Sequence, residues 1–258
     1  MNREHLKKVF DDYAALYDIN EPKIKLKYEH TYQVADLSDK IAKSVELSQE
    51  DVDIAWTIGL LHDIGRFEQV VRYGTYRDAI SVDHAQFGAD LLFKDGLIEK
   101  FGIEDKEVLH LIEIAIRNHN VFKLPDNLNE RELLFSRLIR DADKIDIMRA
   151  NVEFPLEEIC NVTTEELYSA TVEQSTIDAF LRHETIIRGK NMGVADGIMN
   201  QIAFIFALEF PISLEIMVER GHIFQLMEFH SKNPDTEAKF ELARKEVVKY
   251  ISDNGLAQ

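Results

Sequence analysis

Cysteine is almost missing from this chain: Cys160 is the single one in 258 residues. That excludes an internal disulfide framework, a zinc ribbon and a CxxC redox centre. Long apolar runs are missing too. The longest, residues 202–208, is far shorter than the ~20 residues that span a bilayer. The charged opening MNREHLKK has no signal-type apolar stretch, so the expectation is a cytoplasmic protein with no membrane partner. Positive charge is scarce, with 30 basic against 47 acidic residues and a formal net charge of −17. Such a field opposes binding to a nucleic-acid polymer or an anionic lipid surface, which needs clustered Lys and Arg. A small anion remains an option if something local supplies positive charge. Glycine and proline are few, 11 and 5, and fall between stretches of helical period without forming a linker or repeat.

What is there is helical periodicity, with little strand alternation. It predicts helices over 3–17, closed by Asn20-Glu21-Pro22, and over 25–45, where His30, Val34, Leu37 and Ile41 share one face. A third begins after Ser48 as N-cap, with Asp51 at the capping-box position, and ends near His62-Asp63. Residues 72–81 read as a polar loop, followed by helices over 82–93, 106–118 and 130–150. Further segments are expected at 164–171, 174–188, 193–208, 214–219 and 236–252. No linker divides the two halves, so the expectation is one all-α domain over 1–258 with a C-terminal helical extension.

Several ionisable residues sit inside apolar periodicity: His30, the pair His62-Asp63 in LLHDIGR, His84 beside Phe87 and Leu91, His119 after Ile112 and Ile116, and Asp141, Asp143 and Asp146 in LIRDADKIDIM. Taken singly, each reads as a core residue satisfied by a backbone carbonyl. Taken together on five helices, they need partners, because an unpaired buried ionisable group costs several kcal/mol. Convergence on a metal resolves that cost in a helix bundle. His5, His110, His183, His222 and His230 lie outside the pattern and are expected at the surface or in ordinary core. Phe204, Phe206, Phe210, Phe224 and Phe229 recur near helical spacing and read as core, or as a dimer face. Cys160 reads as a small hydrophobe.

The stretches YEHTYQVADLSDKIA, IGLLHDIGRFE, SVDHAQFGADLLF, IRNHN and LIRDADKIDIM resemble, in this order, the HD-domain superfamily of metal-dependent phosphohydrolases, over roughly residues 25–150. The resemblance implies an all-helical HD bundle as a core of about 22–150, with helices of about 155–252 packed on it. It also implies His30, His62, Asp63 and Asp143 as the first metal site. His84 and His119 resemble the extra histidines of two-metal branches, in which Asp63 would bridge both ions. Asp143 is preferred to Asp141 on the A-D-K pattern, since periodicity places both inward. Arg66, three residues after the HD pair, and Lys144 are candidates to contact a substrate phosphate; Asp146 is a candidate to orient a ligand histidine. Arg77 and Asp78 are expected to be exposed.

The implied cofactor is a divalent transition metal, two ions drawn from Mn, Fe, Co, Ni or Zn. The implied activity is hydrolysis of a phosphate ester of a nucleotide or similar small molecule by a metal-activated hydroxide. A di-iron oxygenase acting on a small organic substrate and a non-hydrolytic nucleotide sensor are the alternatives, with a homodimer left open. No GxSxG elbow, P-loop or HExxH occurs to suggest another chemistry. The chain lacks the GYP signature of cyclic-dinucleotide hydrolases, and Leu26 replaces the Glu used by three-metal relatives.

Overall fold

The computed structural model describes residues 1–184, 186 and 192–256. Among them the regular structure is entirely helical, and the chain divides into two compact units, Met1–Asp146 and Ile147–Gln258.

The first unit holds α1 (Arg3–Ala14), α2 (Pro22–Ser44), α3 (Gln49–Leu61), α4 (Gly65–Tyr73), α5 (His84–Phe93), α6 (Lys106–Asn118) and most of α7 (Glu130–Glu153). Short 3₁₀ turns at Asp78–Ile80 and Leu97–Phe101 flank α5. Local chemistry marks most of the starts. Asn2, Ser48, Asp83 and Asp105 each accept a backbone N–H of the helix they precede, which satisfies donors a helix start leaves unpaired. Pro22 occupies the first turn of α2, where its missing N–H loses nothing.

Two glycines set how closely the helices approach. A Cβ on Gly59 would lie 2.6 Å from Ala35 Cα, so α3 can press backbone to backbone on α2. A Cβ on Gly65 would lie 2.7 Å from Gly88 N and 2.8 Å from His84 O, so α4 meets the start of α5 as closely. Around these crossings the core is Phe10, Ile41, Ile54, Trp56, Ile58, Phe67, Leu92, Phe101 and Ile116. Phe10 meets the rings of Phe67 and Tyr32 edge-on at 5.8 and 5.6 Å, which ties α1 to the unit.

Two expectations are corrected. Helix α1 stops at Ala14, three residues early, and the segment after His62-Asp63 restarts as α4, so Arg72 and Tyr73 are helical. Helix α4 was hidden because it starts without a side-chain cap and needs Gly65 at a close contact.

The second unit holds α8 (Leu156–Cys160), α9 (Thr164–Ser169), α10 (Gln174–Leu181), α11 (Val194–Ile202), a 3₁₀ turn at Ala203–Ala207, α12 (Pro211–Arg220), α13 (His222–Met227) and α14 (Pro234–Asp253). Thr163 and Glu166 form a capping box for α9, and Asn233 caps α14. Ile177, Phe180, Met199, Ile205, Phe240 and Val247 are among its buried side chains. The helix expected over 174–188 ends at Leu181, and residues 185, 187 and 188 lie outside those described. Of the five aromatic residues expected in the core, Phe229 is buried and the other four are half-buried, as is Cys160.

Candidate metal centre

Five helices or helix ends of the first unit deliver His and Asp side chains to one buried spot. His30 comes from the middle of α2, and His62 and Asp63 follow the last residue of α3. His84 opens α5, His119 follows α6, and Asp143 lies on α7. His30 and His62 are fully buried; Asp63, His84 and His119 are at most 5% exposed. Ligand-type atoms of His30, His62 and Asp63 lie within 4.8 Å of one another; so do those of His62, His119 and Asp143, and those of Asp63, His84 and His119. Shared members join the three groups into one cluster.

The outward ring nitrogens show how the cluster is built. His30 Nδ1 bonds Asp146 Oδ2 at 2.8 Å, and His84 Nδ1 bonds Asp78 Oδ2 at 2.5 Å. His62 Nδ1 donates to Gly59 O at 2.8 Å, and His119 Nδ1 donates to Ile116 O at 2.7 Å. A backbone carbonyl or an ionised carboxylate only accepts, so each Nδ1 carries a proton and each ring turns its Nε2 inward.

Those four Nε2 atoms surround Asp63 in two pairs. Oδ2 lies 3.5 Å from both His30 and His62, while Oδ1 lies 3.4 Å from His84 and 3.8 Å from His119. Asp143 Oδ1 is 3.0 Å from His30 Nε2 and 3.7 Å from His62 Nε2. The His30 and His62 Nε2 atoms and Asp63 Oδ1 nonetheless meet no partner in hydrogen-bond geometry. His84 Nε2 and His119 Nε2 face each other at 2.9 Å. Burial and the neighbouring His84 and His62 lower His119 to about 3, and burial with Arg66 lowers His84 against the pull of Asp78. Two neutral rings with both Nδ1 protonated put two lone pairs against each other there. A cation between them removes that repulsion, and the donor set fits a divalent metal.

The carboxylates are ready to act as anions. Burial opposes ionisation of Asp63, but Lys27, His62, Arg66 and His84 hold it well below the usual carboxylate range. Burial likewise opposes ionisation of Asp143, and the neighbouring His30 and His62 rings prevail and hold it well below the usual carboxylate range. For His30 itself, burial and Lys27 depress its protonation, yet Asp143 and Asp146 raise it overall.

The match to known families falls on this same span. The family model of the HD domain covers residues 28–148, which include all six cluster residues. The chain contains an HD domain. No curated protein and no solved structure matches it. The HD domain and its buried His/Asp cluster together mark a site able to hold divalent metal.

The structure brings together all six side chains named from the HD resemblance, and Asp146 lies behind His30. Asp141 is buried 3.8 Å from Lys144 Nζ, so the adjacent lysine leans toward Asp141. Arg66 Nε lies 3.5 Å from Asp63 Oδ1, while its Nη1 donates to Gln69, Tyr76 O and Asp78. Asp78 is not the exposed loop residue expected: it joins Arg66 to His84 and is held below the usual carboxylate range, against burial, by both. Arg77 is exposed, as expected.

Three participants were missed. Lys27 Nζ lies 2.6 Å from Asp63 Oδ2; its signal was the i, i+3 spacing to His30 on one helix face. Tyr76 sits under both Lys27 and Arg66, each cation 5.5 Å from the ring centroid, and its hydroxyl donates to Lys23 O at 2.6 Å. Arg140 Nη1 donates to Asn118 O, His119 O and Val121 O, clamping the end of α6 that carries His119. The remaining five histidines lie elsewhere: His5 on Lys100 O, His110 on Glu132, His183 on Glu246, His230 on Glu237, and His222 at the start of α13, after Gly221.

Proposed function

We propose that the protein is a metal-dependent phosphohydrolase cleaving a phosphate ester of a nucleotide or similar small molecule. The observation that carries this reading is the arrangement at Asp63, where four inward Nε2 atoms and two cationic side chains, Lys27 and Arg66, converge on one carboxylate. Imidazole and carboxylate together suit Mn, Fe, Co, Ni or Zn better than Mg or Ca. The division of histidines between the two Asp63 oxygens supports two ions, with His30, His62 and Asp143 on one side, His84 and His119 on the other, and Asp63 between. When bound, such ions lower the pKa of water and stabilise charge on a phosphoryl oxygen.

The chain's own residues orient and bind. Asp146, Asp78 and the carbonyls of Gly59 and Ile116 keep a proton on each Nδ1 and so fix the direction of each Nε2. Arg66 is anchored through Nη1, and its buried Nε has no hydrogen-bond partner. A phosphoryl oxygen supplies the acceptor that donor needs. These cations favour an anionic substrate over a neutral organic molecule oxidised at the same ligands. They also supply positive charge at the site, so a small phosphate is accepted while the acidic chain, at −17, disfavours nucleic-acid polymers.

The test is release of inorganic phosphate or nucleotide from a phosphate-ester panel with Mn, Co, Ni, Zn or, anaerobically, Fe. Wild type should turn over at least one substrate, and Asp63→Ala should abolish turnover with helical circular dichroism unchanged. Near wild-type turnover by Asp63→Ala would defeat the mechanism. Tightly held iron with O₂ uptake and no phosphate release would replace hydrolysis with oxygenation. An intact nucleotide surviving long incubation would indicate a sensor.

A further inference from the structure

Lys27 stands out because its ammonium and a metal would seek the same atom. Its Nζ contacts Asp63 Oδ2 at 2.6 Å, the oxygen that faces His30 and His62. Its side chain is only 12% exposed, and among the described residues it has no other polar partner. The Tyr76 ring centroid lies 5.5 Å from the same ammonium. A cation drawn to Asp63 Oδ2 must therefore compete with this ammonium. Once it loses Asp63, the ammonium is a poorly solvated charge in want of an anion. Arg66 Nε, buried beside Asp63 Oδ1 and also against Tyr76, is a second donor in want of an acceptor. An oxyanion at this wall would answer both.

Building on the metal site of the proposed function, we propose that Lys27 couples metal binding to oxyanion binding: it opposes a divalent ion at Asp63 when no oxyanion is bound, and it turns to the oxyanion once the ion takes Asp63. The two ligands then bind with positive cooperativity through one side chain, and by linkage each raises the affinity of the other equally. Lys27 is a positioning and affinity-setting residue in this scheme. The chemical class it selects is a small phosphate-type anion.

The experiment is calorimetric titration of the full chain with Mn²⁺ alone, and then of the Mn²⁺-loaded chain with inorganic phosphate. The proteins compared are wild type, Lys27→Met, Lys27→Gln as a second neutral replacement, and Lys27→Arg. A hydrogen bond to a charged group is worth about one to two powers of ten in affinity. Both neutral variants should bind Mn²⁺ roughly tenfold more tightly than wild type and then bind phosphate roughly tenfold more weakly. Lys27→Arg should restore both affinities toward wild type. Unchanged titrations, or loss of both affinities together as from a structural defect, would overturn the assignment. Neither titration involves turnover. A chain showing both shifts yet hydrolysing nothing would refute the hydrolase and keep Lys27 in its role, and an active hydrolase with unshifted titrations would do the reverse.

Discussion

Gly65 links the packing of the first unit to its cluster, and replacing it by alanine tests that link. The added Cβ would stand 2.7 Å from Gly88 N, 2.8 Å from Gly88 Cα and 2.8 Å from His84 O, where ordinary contact begins at 3.4 Å. All three obstacles are backbone, so α4 and α5 must separate by more than half an ångström. Overpacking of this kind costs about 1–3 kcal/mol, a fall in melting temperature of roughly 3–10 °C for a unit of this size. The separation also moves His84 from Asp63, which stands two residues before Gly65. Ligand constellations tolerate shifts of only ~0.5 Å, so Mn²⁺ affinity should fall with stability. Two companion variants grade the effect. Gly88→Ala meets Gly65 N at 3.0 Å and should be milder. Gly197→Ala, within α11 and meeting nothing among the described residues, should stabilise by about 0.5–1 kcal/mol. Thermal unfolding by circular dichroism, with Mn²⁺ titration of each variant, reads all of this. A Gly65→Ala protein that melts and binds metal like wild type would refute the close-packing argument.

Asp78→Asn should weaken Mn²⁺ binding roughly 10–100-fold, as loss of a ligand-orienting carboxylate does, because it disturbs both His84 and Arg66; equilibrium dialysis measures it. Adding Mn²⁺ or Zn²⁺ should raise the melting temperature in a concentration-dependent way, and a chelator should reverse the gain, since a ligand at 100 times its Kd stabilises by about 2.7 kcal/mol. Burial raises the Tyr13 phenol from 10.0 to about 12, with Glu68 assisting and the Tyr17 bond opposing. Its contribution is fully present below pH 10 and lost as pH rises toward 12, so melting temperature should fall across that window, less steeply in Tyr13→Phe.

The sequence exposed the fold class and the inward histidines for one physical reason: both are written in the 3.6-residue period of buried faces, as in His30-Val34-Leu37-Ile41. It exposed the start of α3 through the chemistry of Ser48, whose side chain accepts from Asp51 N. Asp141 and Asp143 could not be separated by period, because both lie on inward faces of α7; geometry sets Asp143 at 3.0 Å from His30 and Asp141 beside Lys144. Asp78 and Tyr76 lie on an irregular segment whose path depends on Arg66 and Gln69, so no local pattern places them. Arg140 serves carbonyls about twenty residues earlier in the chain, a partnership visible only once α6 and α7 are packed.

On the proposed function, the cluster would hold two divalent ions about Asp63. Anomalous X-ray scattering from crystals grown with Mn²⁺ or Zn²⁺ tests it most directly. Two peaks ~3.5–4 Å apart are expected, one among His30, His62 and Asp143, the other between His84 and His119, with Asp63 touching both. No peak between His84 and His119, or metal bound away from Asp63, would contradict it.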